Sequence, residues 1–138
     1  MKARDVMTPD PITLAPTATI QEALDLMVRH DIHALPVVDD AGLAGIITDR
    51  DVKMMLGPGA RSLAEDELDE ALLHAEVSEA MTPEVLTIGP DTPLSRVARK
   101  LANWRVGDIP VVEGDALVGI VSVTDVLLAA AEVFEAEE

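Results

Sequence analysis

The chain has 138 residues, enough for one ordinary domain or two half-domains sharing a core. Hydrophobic residues make up 49% of it but aromatic ones only 1%, so its core is built from Val, Ile, Leu, Ala and Met. A formal charge of −16, from 26 acidic against 10 basic residues, argues against an electrostatic footprint on nucleic acid or on an anionic membrane. The absence of cysteine excludes disulfides and thiolate chemistry. Without a charged-then-apolar leader or an apolar run near 20 residues, the expected location is cytoplasmic.

In chain order, residues 11–14 read as a short extended segment after the turn chemistry of Thr8-Pro9-Asp10-Pro11. A helix follows. Thr19 with Glu22 forms a capping box, and Ile20, Ala23, Leu24, Met27 and Val28 recur at helical spacing until His30-Asp31 closes the helix. Residues 34–38 read as a buried strand in which Pro36 demands an edge position or a bulge. Asp39-Asp40-Ala41-Gly42 turns the chain into a second strand over residues 43–47, and a helix runs from Thr48 past Met55 to Gly57-Pro58-Gly59.

Residues 57–77 read as a helical connector with a capping box at Ser62 and Glu65 and an acidic outer face. The second half follows the plan of the first. Thr92-Pro93 is expected to cap a helix whose face is Leu94, Val97, Ala98, Leu101 and Ala102, and Glu113-Gly114-Asp115 turns the second hairpin. A last helix spans about residues 124–134, and the acidic residues 135–138 are expected to fray.

The plan repeats because the sequence does. Gly45-Ile46-Ile47-Thr48 with Asp51 recurs 74 residues later as Gly119-Ile120-Val121-Ser122 with Asp125. At the same offset Met7-Thr8-Pro9 meets Met81-Thr82-Pro83, Thr13 meets Thr87, and Pro36-Val37-Val38 meets Pro110-Val111-Val112. Two copies of a unit too small to bury its own apolar face are expected to close on one another. Their bounds are 1–56 and 78–138.

Thr48-x-x-Asp51 and Ser122-x-x-Asp125 each read as a helix capping box. Their position, at the end of a strand feeding a helix, also sets free amide donors, a hydroxyl and a carboxylate at one point, the groups that hold a nucleotide's phosphate and vicinal hydroxyls. His30 and His33 are three residues apart without a third ligand of matching type, so no metal site is read from them. Trp104, the single tryptophan, reads as an anchor at a helix end or an oligomer contact.

The ordered set of Val6-Met7-Thr8, Thr13, the amphipathic helix, Leu35-Pro36-Val37-Val38, Asp39 and Gly45-Ile46-Ile47-Thr48-x-x-Asp51, present twice, resembles a tandem pair of CBS domains, a Bateman module. The resemblance covers about residues 3–128 and implies an α/β (α+β) fold of two β-α-β-β-α motifs. These are related by a pseudo-twofold axis, with their sheets packed together and two clefts between them. It implies adenosyl ligands: AMP, ADP, ATP, S-adenosylmethionine or sometimes NAD. The carboxylates of Asp51 and Asp125 are then expected to take the ribose hydroxyls, and Thr48 and Ser122 phosphate or ribose.

By the same resemblance one site joins Thr13, Ile32, His33, Ala34 and Pro36 to Ser122 and Asp125. The other joins Thr87, Val106, Gly107, Asp108 and Pro110 to Thr48 and Asp51. His33 is a candidate phosphate contact, Asp108 an unfavourable charge in the second site, and Arg50 a cation able to offset it. The implied function is a stand-alone regulatory module, non-enzymatic, sensing energy state or a metabolite. It is expected to work as a homodimer and to act on a regulated protein. The rival reading is a dimerisation or scaffolding module whose clefts bind nothing.

Overall fold

The computed structural model describes residues 1–56 and 70–138. It divides into two compact units that do not follow the repeat boundary: one comprises residues 1–11 with 86–138, the other residues 12–85. The architecture is mixed α/β, with one three-stranded sheet in each unit.

The short helix α1 (Ala3–Val6) and strand β1 (Thr8–Pro9) open the chain and belong to the first of these units; the unit of residues 12–85 contains Leu14 and then the helix α2 (Ile20–His30). The Thr19 hydroxyl accepts from the Glu22 amide at 3.1 Å while the Glu22 carboxylate accepts from the Thr19 amide at 3.0 Å, the expected capping box. α2 stops at Asp31, which takes the left-handed conformation at φ 51° without being glycine.

The strands β2 (Ala34–Asp39) and β3 (Gly42–Thr48) form the expected hairpin, with a bulge between Val37 and Val38. Pro36, which has no N–H, sits on the edge strand of this sheet. The carbonyl of Pro36 accepts from the Leu14 amide at 3.1 Å, and the Leu14 carbonyl accepts from Val38 at 2.8 Å. The extended segment at 11–14 is thus a single parallel bridge from Leu14 to Val37 rather than a strand.

Beyond α3 (Asp49–Leu56), the Gly57-Pro58-Gly59 stop and the Ser62/Glu65 capping box lie outside the described residues. The chain is described again at α4 (Glu70–Leu73), then a short 3-10 helix over Val77–Glu79, then β4 (Thr82–Pro83). β4 completes the sheet in the order β2-β3-β4. The core is Leu14, Ile20, Ala23, Met27, Leu35, Val37, Ile47, Val52 and Val77. Each fully buried aliphatic side chain among them contributes about 1.5–3 kcal/mol. Val28, placed on the apolar face by its spacing, is instead 83% exposed.

The other unit has the same plan. α5 (Leu94–Trp104) precedes the hairpin of β5 (Asp108–Glu113) and β6 (Ala116–Ser122), and α6 (Val123–Glu137) closes the chain. Its sheet has the order β1-β6-β5. Gly114 turns the hairpin at φ 63°. The core is Ala3, Ile88, Val97, Leu101, Ile109, Val111 and Val121.

Four expectations need correction here. The Thr92 hydroxyl accepts from the Gly89 amide and does not cap α5; the Leu94 amide is satisfied by the Met1 carbonyl at 2.9 Å. α6 continues through Glu137, so the acidic end is helical. Ala102 and Trp104 are exposed, Trp104 by 67%, so the tryptophan does not anchor the end of α5.

What the sequence did not reveal is the crossing of the leading segments. β1, from the start of the first repeat, pairs with β6 of the second, whereas β4, from the start of the second, pairs with β3 of the first. Reciprocal bonds tie each segment to the turn ahead of its helix: Ala3 to Thr92 and Leu94 to Met1, matched by Val77 to Ala18 and Ile20 to Ala75. Ala3 and Val77, both fully buried, occupy equivalent places in the two cores.

Candidate functional site

In each unit a strand ending in a hydroxyl residue runs directly into a helix. The Thr48 amide donates to Asp51 Oδ2 at 2.9 Å and the Asp51 amide to Thr48 Oγ1 at 3.2 Å. In the other unit the Ser122 amide donates to Asp125 Oδ2 at 2.8 Å and the Asp125 amide to Ser122 Oγ at 3.1 Å. Both capping boxes read from the sequence therefore form, with all four residues half-buried.

The consequence for chemistry is specific. One carboxylate oxygen is held by a backbone amide, which fixes the group, and the second oxygen remains able to accept from a ligand hydroxyl. The Thr and Ser hydroxyls use a lone pair on the cap and keep their proton to donate. The helix starts are less open than expected, because the Asp49 amide is taken by the His33 carbonyl at 3.1 Å and the Val123 amide by Gly107 at 2.9 Å.

Those two carbonyls bring the pre-proline segments into place. Ala34 lies opposite Thr48 in the ladder, and Asp108 lies opposite Ser122. His33 Nδ1 stands 3.6 Å from Asp49 Oδ2, with the imidazole 76% exposed. Ile32 is half-buried, Ala34 and Pro36 are buried, and Thr13 is exposed. In the second repeat Thr87 is half-buried, Val106 and Gly107 are exposed, and Pro110 is buried. Arg50 lies exposed in the first turn of α3.

Within a unit the fold thus gathers residues of one repeat: His33 and Ala34 with Thr48, and Gly107 and Asp108 with Ser122. The crosswise groups expected above draw on residues that belong to different compact units.

Sequence reasoning missed Thr82, whose hydroxyl reaches Asp51 Oδ1 at 3.4 Å. It also gave no reason for Gly45 and Gly119. A Cβ on Gly45 would stand 2.7 Å from the Thr82 carbonyl oxygen, and one on Gly119 would stand 2.5 Å from Met7 Sδ. The glycines are there so that β4 and β1 can lie against them. The repeated Met-Thr-Pro was the signal, noticed without a structural role.

Two cavities, of about 530 and 540 Å³, lie in the unit of residues 1–11 and 86–138, and neither is lined by the expected ligand residues. Among the described residues no cluster of His, Asp and Glu is arranged to hold a metal ion, and no helix is long and apolar enough to cross a membrane.

The family model of the CBS domain matches residues 3–57 and 77–132. The chain belongs to the CBS-domain family. It is 34% identical over 122 residues to the CBS domain-containing protein YhcV of Bacillus subtilis, which covers 88% of this chain and 80% of that one. Among solved structures it is similar to the CBS domain pair of protein MJ0100 in complex with 5-methylthioadenosine and S-adenosyl-L-methionine. There the TM-score is 0.77 at 28% identity, over 100% of this chain and 98% of that one. It is also similar to CBSX2 of Arabidopsis thaliana, solved in complex with AMP, with a TM-score of 0.76 at 27% identity over 96% and 97% of the two chains.

Several enzymes also match, including the A-adding tRNA nucleotidyltransferase of Geobacter sulfurreducens, but the CBS pair spans only 13% of that protein. It spans 22% and 32% of two Methanocaldococcus jannaschii enzymes. This chain thus matches only a minor part of each of these multidomain proteins.

Proposed function

We propose that this CBS pair is a regulatory module that binds an adenosyl ligand, AMP, ADP, ATP or S-adenosylmethionine, and reports energy or metabolite state through a change of shape. The observation that carries this is the doubled arrangement in which one oxygen of Asp51 and of Asp125 is fixed by a strand-end amide. A carboxylate fixed in this way is pre-organised to accept from vicinal ribose hydroxyls through its other oxygen. Thr48 and Ser122 donate to ribose or phosphate oxygens. Thr13, Ile32, His33, Ala34 and Pro36, and likewise Thr87, Val106, Gly107, Asp108 and Pro110, form the surroundings of the base and phosphate, with Arg50 the nearby cation. Similarity to CBS pairs solved with AMP and with S-adenosyl-L-methionine supports the ligand class.

Ligand binding acts as linkage: it biases whichever arrangement of the protein it binds more tightly. The module works as a homodimer, passes its state to a regulated protein, catalyses nothing itself and resides in the cytoplasm. A thermal-shift panel of adenine ligands tests the reading, followed by calorimetry on Asp51→Ala and Asp125→Ala. Each substitution removes a charged hydrogen bond and weakens binding by about 1.5–3 kcal/mol at one site. Unchanged affinity in both variants refutes it.

A specific observation favours the rival, a scaffold that binds nothing: the four capping bonds account for all four residues structurally. No stabilisation by any adenosyl ligand in the panel is its expected result.

A further inference from the structure

α5 carries no acidic residue. Its buried side chains are Val97 and Leu101, and away from them Arg96, Arg99, Lys100 and Asn103 follow at i, i+3, i+4 and i+7, the spacing of one helical face. Arg96, Arg99 and Asn103 are exposed and Lys100 is half-buried. Leu94 and Ala98 line the apolar groove toward α6, so the basic face is separate from that groove. It runs about 12 Å from Arg96 to the exposed Trp104, with Arg105 following at the helix end.

Arg96, Arg99, Lys100 and Arg105, with Lys2 and Arg4 of the same compact unit, are six of the ten basic residues in a chain of net charge −16. Lys2 and Arg4 are paired with Asp91. Among the described residues the other four form no ion pair.

The repeat supplies an internal control. At the offset of 74 residues α2 has Glu22 for Arg96 and Asp25 for Arg99, and ends at Asp31 where α5 ends at Arg105. The same helix in the same place on the same kind of sheet thus forms with acids at these positions, so packing does not call for the arginines. Nor does it call for Trp104, which is 67% exposed and absent from the core of its unit. Trp and Arg are the residue types that most often dominate the energy of protein interfaces.

The size of the face decides between anionic partners. At the start of α5, Arg96 shares a cavity with Asp91 and Glu113, so the cationic run is bounded there by carboxylates. A long polyanion such as RNA overruns it and meets those carboxylates and the negative chain beyond, within a Debye length of about 8–10 Å. A short acidic helix ends where the face ends. Its carboxylates at i, i+3, i+4 and i+7 match the spacing of the cations, and an apolar side chain one turn on covers the indole.

From these observations we infer that the basic face of α5 docks an acidic amphipathic helix of a partner protein, with Arg96, Arg99 and Lys100 taking its carboxylates and Trp104 its apolar residue. This rests on the proposal that the module passes its state to a regulated protein, and adds the surface and the chemistry of that partner.

Trp104 is the only tryptophan, so its fluorescence reports on this face alone. The probe is a synthetic helical peptide of about 14 residues with glutamates at i, i+3, i+4 and i+7 and a leucine one turn beyond, set against the same peptide with glutamines in their place. Titrated into the full chain, the glutamate peptide is expected to shift the Trp104 emission saturably to the blue, and the glutamine peptide to leave it unchanged. Arg96→Glu/Arg99→Glu changes two exposed positions, and a circular dichroism melt checks that the variant folds. It is expected to weaken binding at least about tenfold, as is raising the salt to about 0.5 M. A lysine version of the peptide is expected to shift the emission more in the variant than in the wild type.

No saturable shift up to about 1 mM peptide, an equal shift with the glutamine peptide, or unchanged affinity in the variant overturns the inference. Tighter binding of an oligouridylate of equal charge makes the face a nucleic-acid site, and a Trp104 spectrum that changes with the concentration of the protein alone makes a second copy its occupant; either result overturns it too. The adenosyl-ligand panel run on the same protein keeps the two readings apart. Ligand binding without peptide binding sinks only the docking face, and peptide binding without ligand binding sinks only the sensor.

Discussion

Substituting alanine at Gly45 and at Gly119 gives the two repeats different penalties, although the sequence around the glycines is nearly the same. At Gly45 the new methyl meets the Thr82 carbonyl oxygen at 2.7 Å and Met81 Sδ at 2.8 Å. Met81 has rotamers to spare, but the carbonyl is backbone, held by the Gly45–Pro83 and Ile46–Thr82 register. β4 must therefore move by roughly half an ångström, an overpacking cost of about 1–3 kcal/mol, against which alanine recovers about 0.5–1 kcal/mol of strand propensity.

At Gly119 the close atoms are Met7 Sδ at 2.5 Å and Cγ at 3.0 Å, whereas the nearest backbone atom, the Thr8 oxygen, is at 3.1 Å. A methionine swinging aside relieves most of this, so the net cost is below about 1 kcal/mol. Urea unfolding followed by circular dichroism measures both. Repeating Gly45→Ala in a Met81→Ala background leaves most of its cost, and repeating Gly119→Ala in a Met7→Ala background abolishes it. Equal costs at the two glycines, or full rescue of Gly45→Ala by Met81→Ala, would show that the backbone approach of β4 is not what requires the glycine.

A second prediction concerns Asp91, whose carboxyl is held below the ordinary 3.8, first by its hydrogen bond to Arg4 and then by the charges of Arg4 and Lys2. Because the folded pKa is depressed, the stabilisation is complete above the ordinary carboxylate value and is lost as pH falls through the lowered one. Asp91→Asn should therefore lower thermal stability slightly at neutral pH and leave no difference in strong acid; a deficit that persists there would refute the ion-pair explanation.

A third concerns the surroundings of the phosphate. Double-mutant cycles by calorimetry are expected to couple His33→Ala with Asp51→Ala if each repeat completes its own site, and with Asp125→Ala if the sites are crosswise. Asp108→Ala should raise affinity for phosphate-bearing ligands at one of two sites, and a loss there would refute the charge argument.

How much of this was legible depends on the range of the interaction that decides it. The Thr19, Thr48 and Ser122 capping boxes were readable because donor and acceptor are three residues apart. The hairpins were readable because Asp39-Asp40-Ala41-Gly42 and Glu113-Gly114-Asp115 leave few turns open. The end of α2 was read at His30-Asp31 and stands there; the end of α5 at Arg105 was not read, because a left-handed conformation usually given to glycine is taken there by arginine.

The crossing of the leading segments was not legible for a different reason. Met7-Thr8-Pro9 and Met81-Thr82-Pro83 face Gly45 and Gly119 strands so alike that either pairing satisfies the pattern. Duplication erased the signal that would have assigned them. The same blindness hid Thr82, which is 31 residues from Asp51 in sequence.

Thr82 also changes what the carboxylate of Asp51 can do. Oδ2 is committed to the Thr48 amide, and the oxygen left for a ligand is the one that Thr82 reaches from β4. Under the proposed function, a ribose hydroxyl at Oδ1 would share or displace a contact at 3.4 Å, long enough to be weak and therefore yielding. β4 belongs by sequence to the leading segment of the second repeat, and is followed directly by the chain that enters the other compact unit at Leu86. In the proposed sensor, occupancy at Asp51 would act on the short strand that leads into one of the two links between the compact units, so a binding event at the cap of α3 would have a covalent route outward. Had the repeats closed each on its own leading segment, the same carboxylate would have touched only its own repeat.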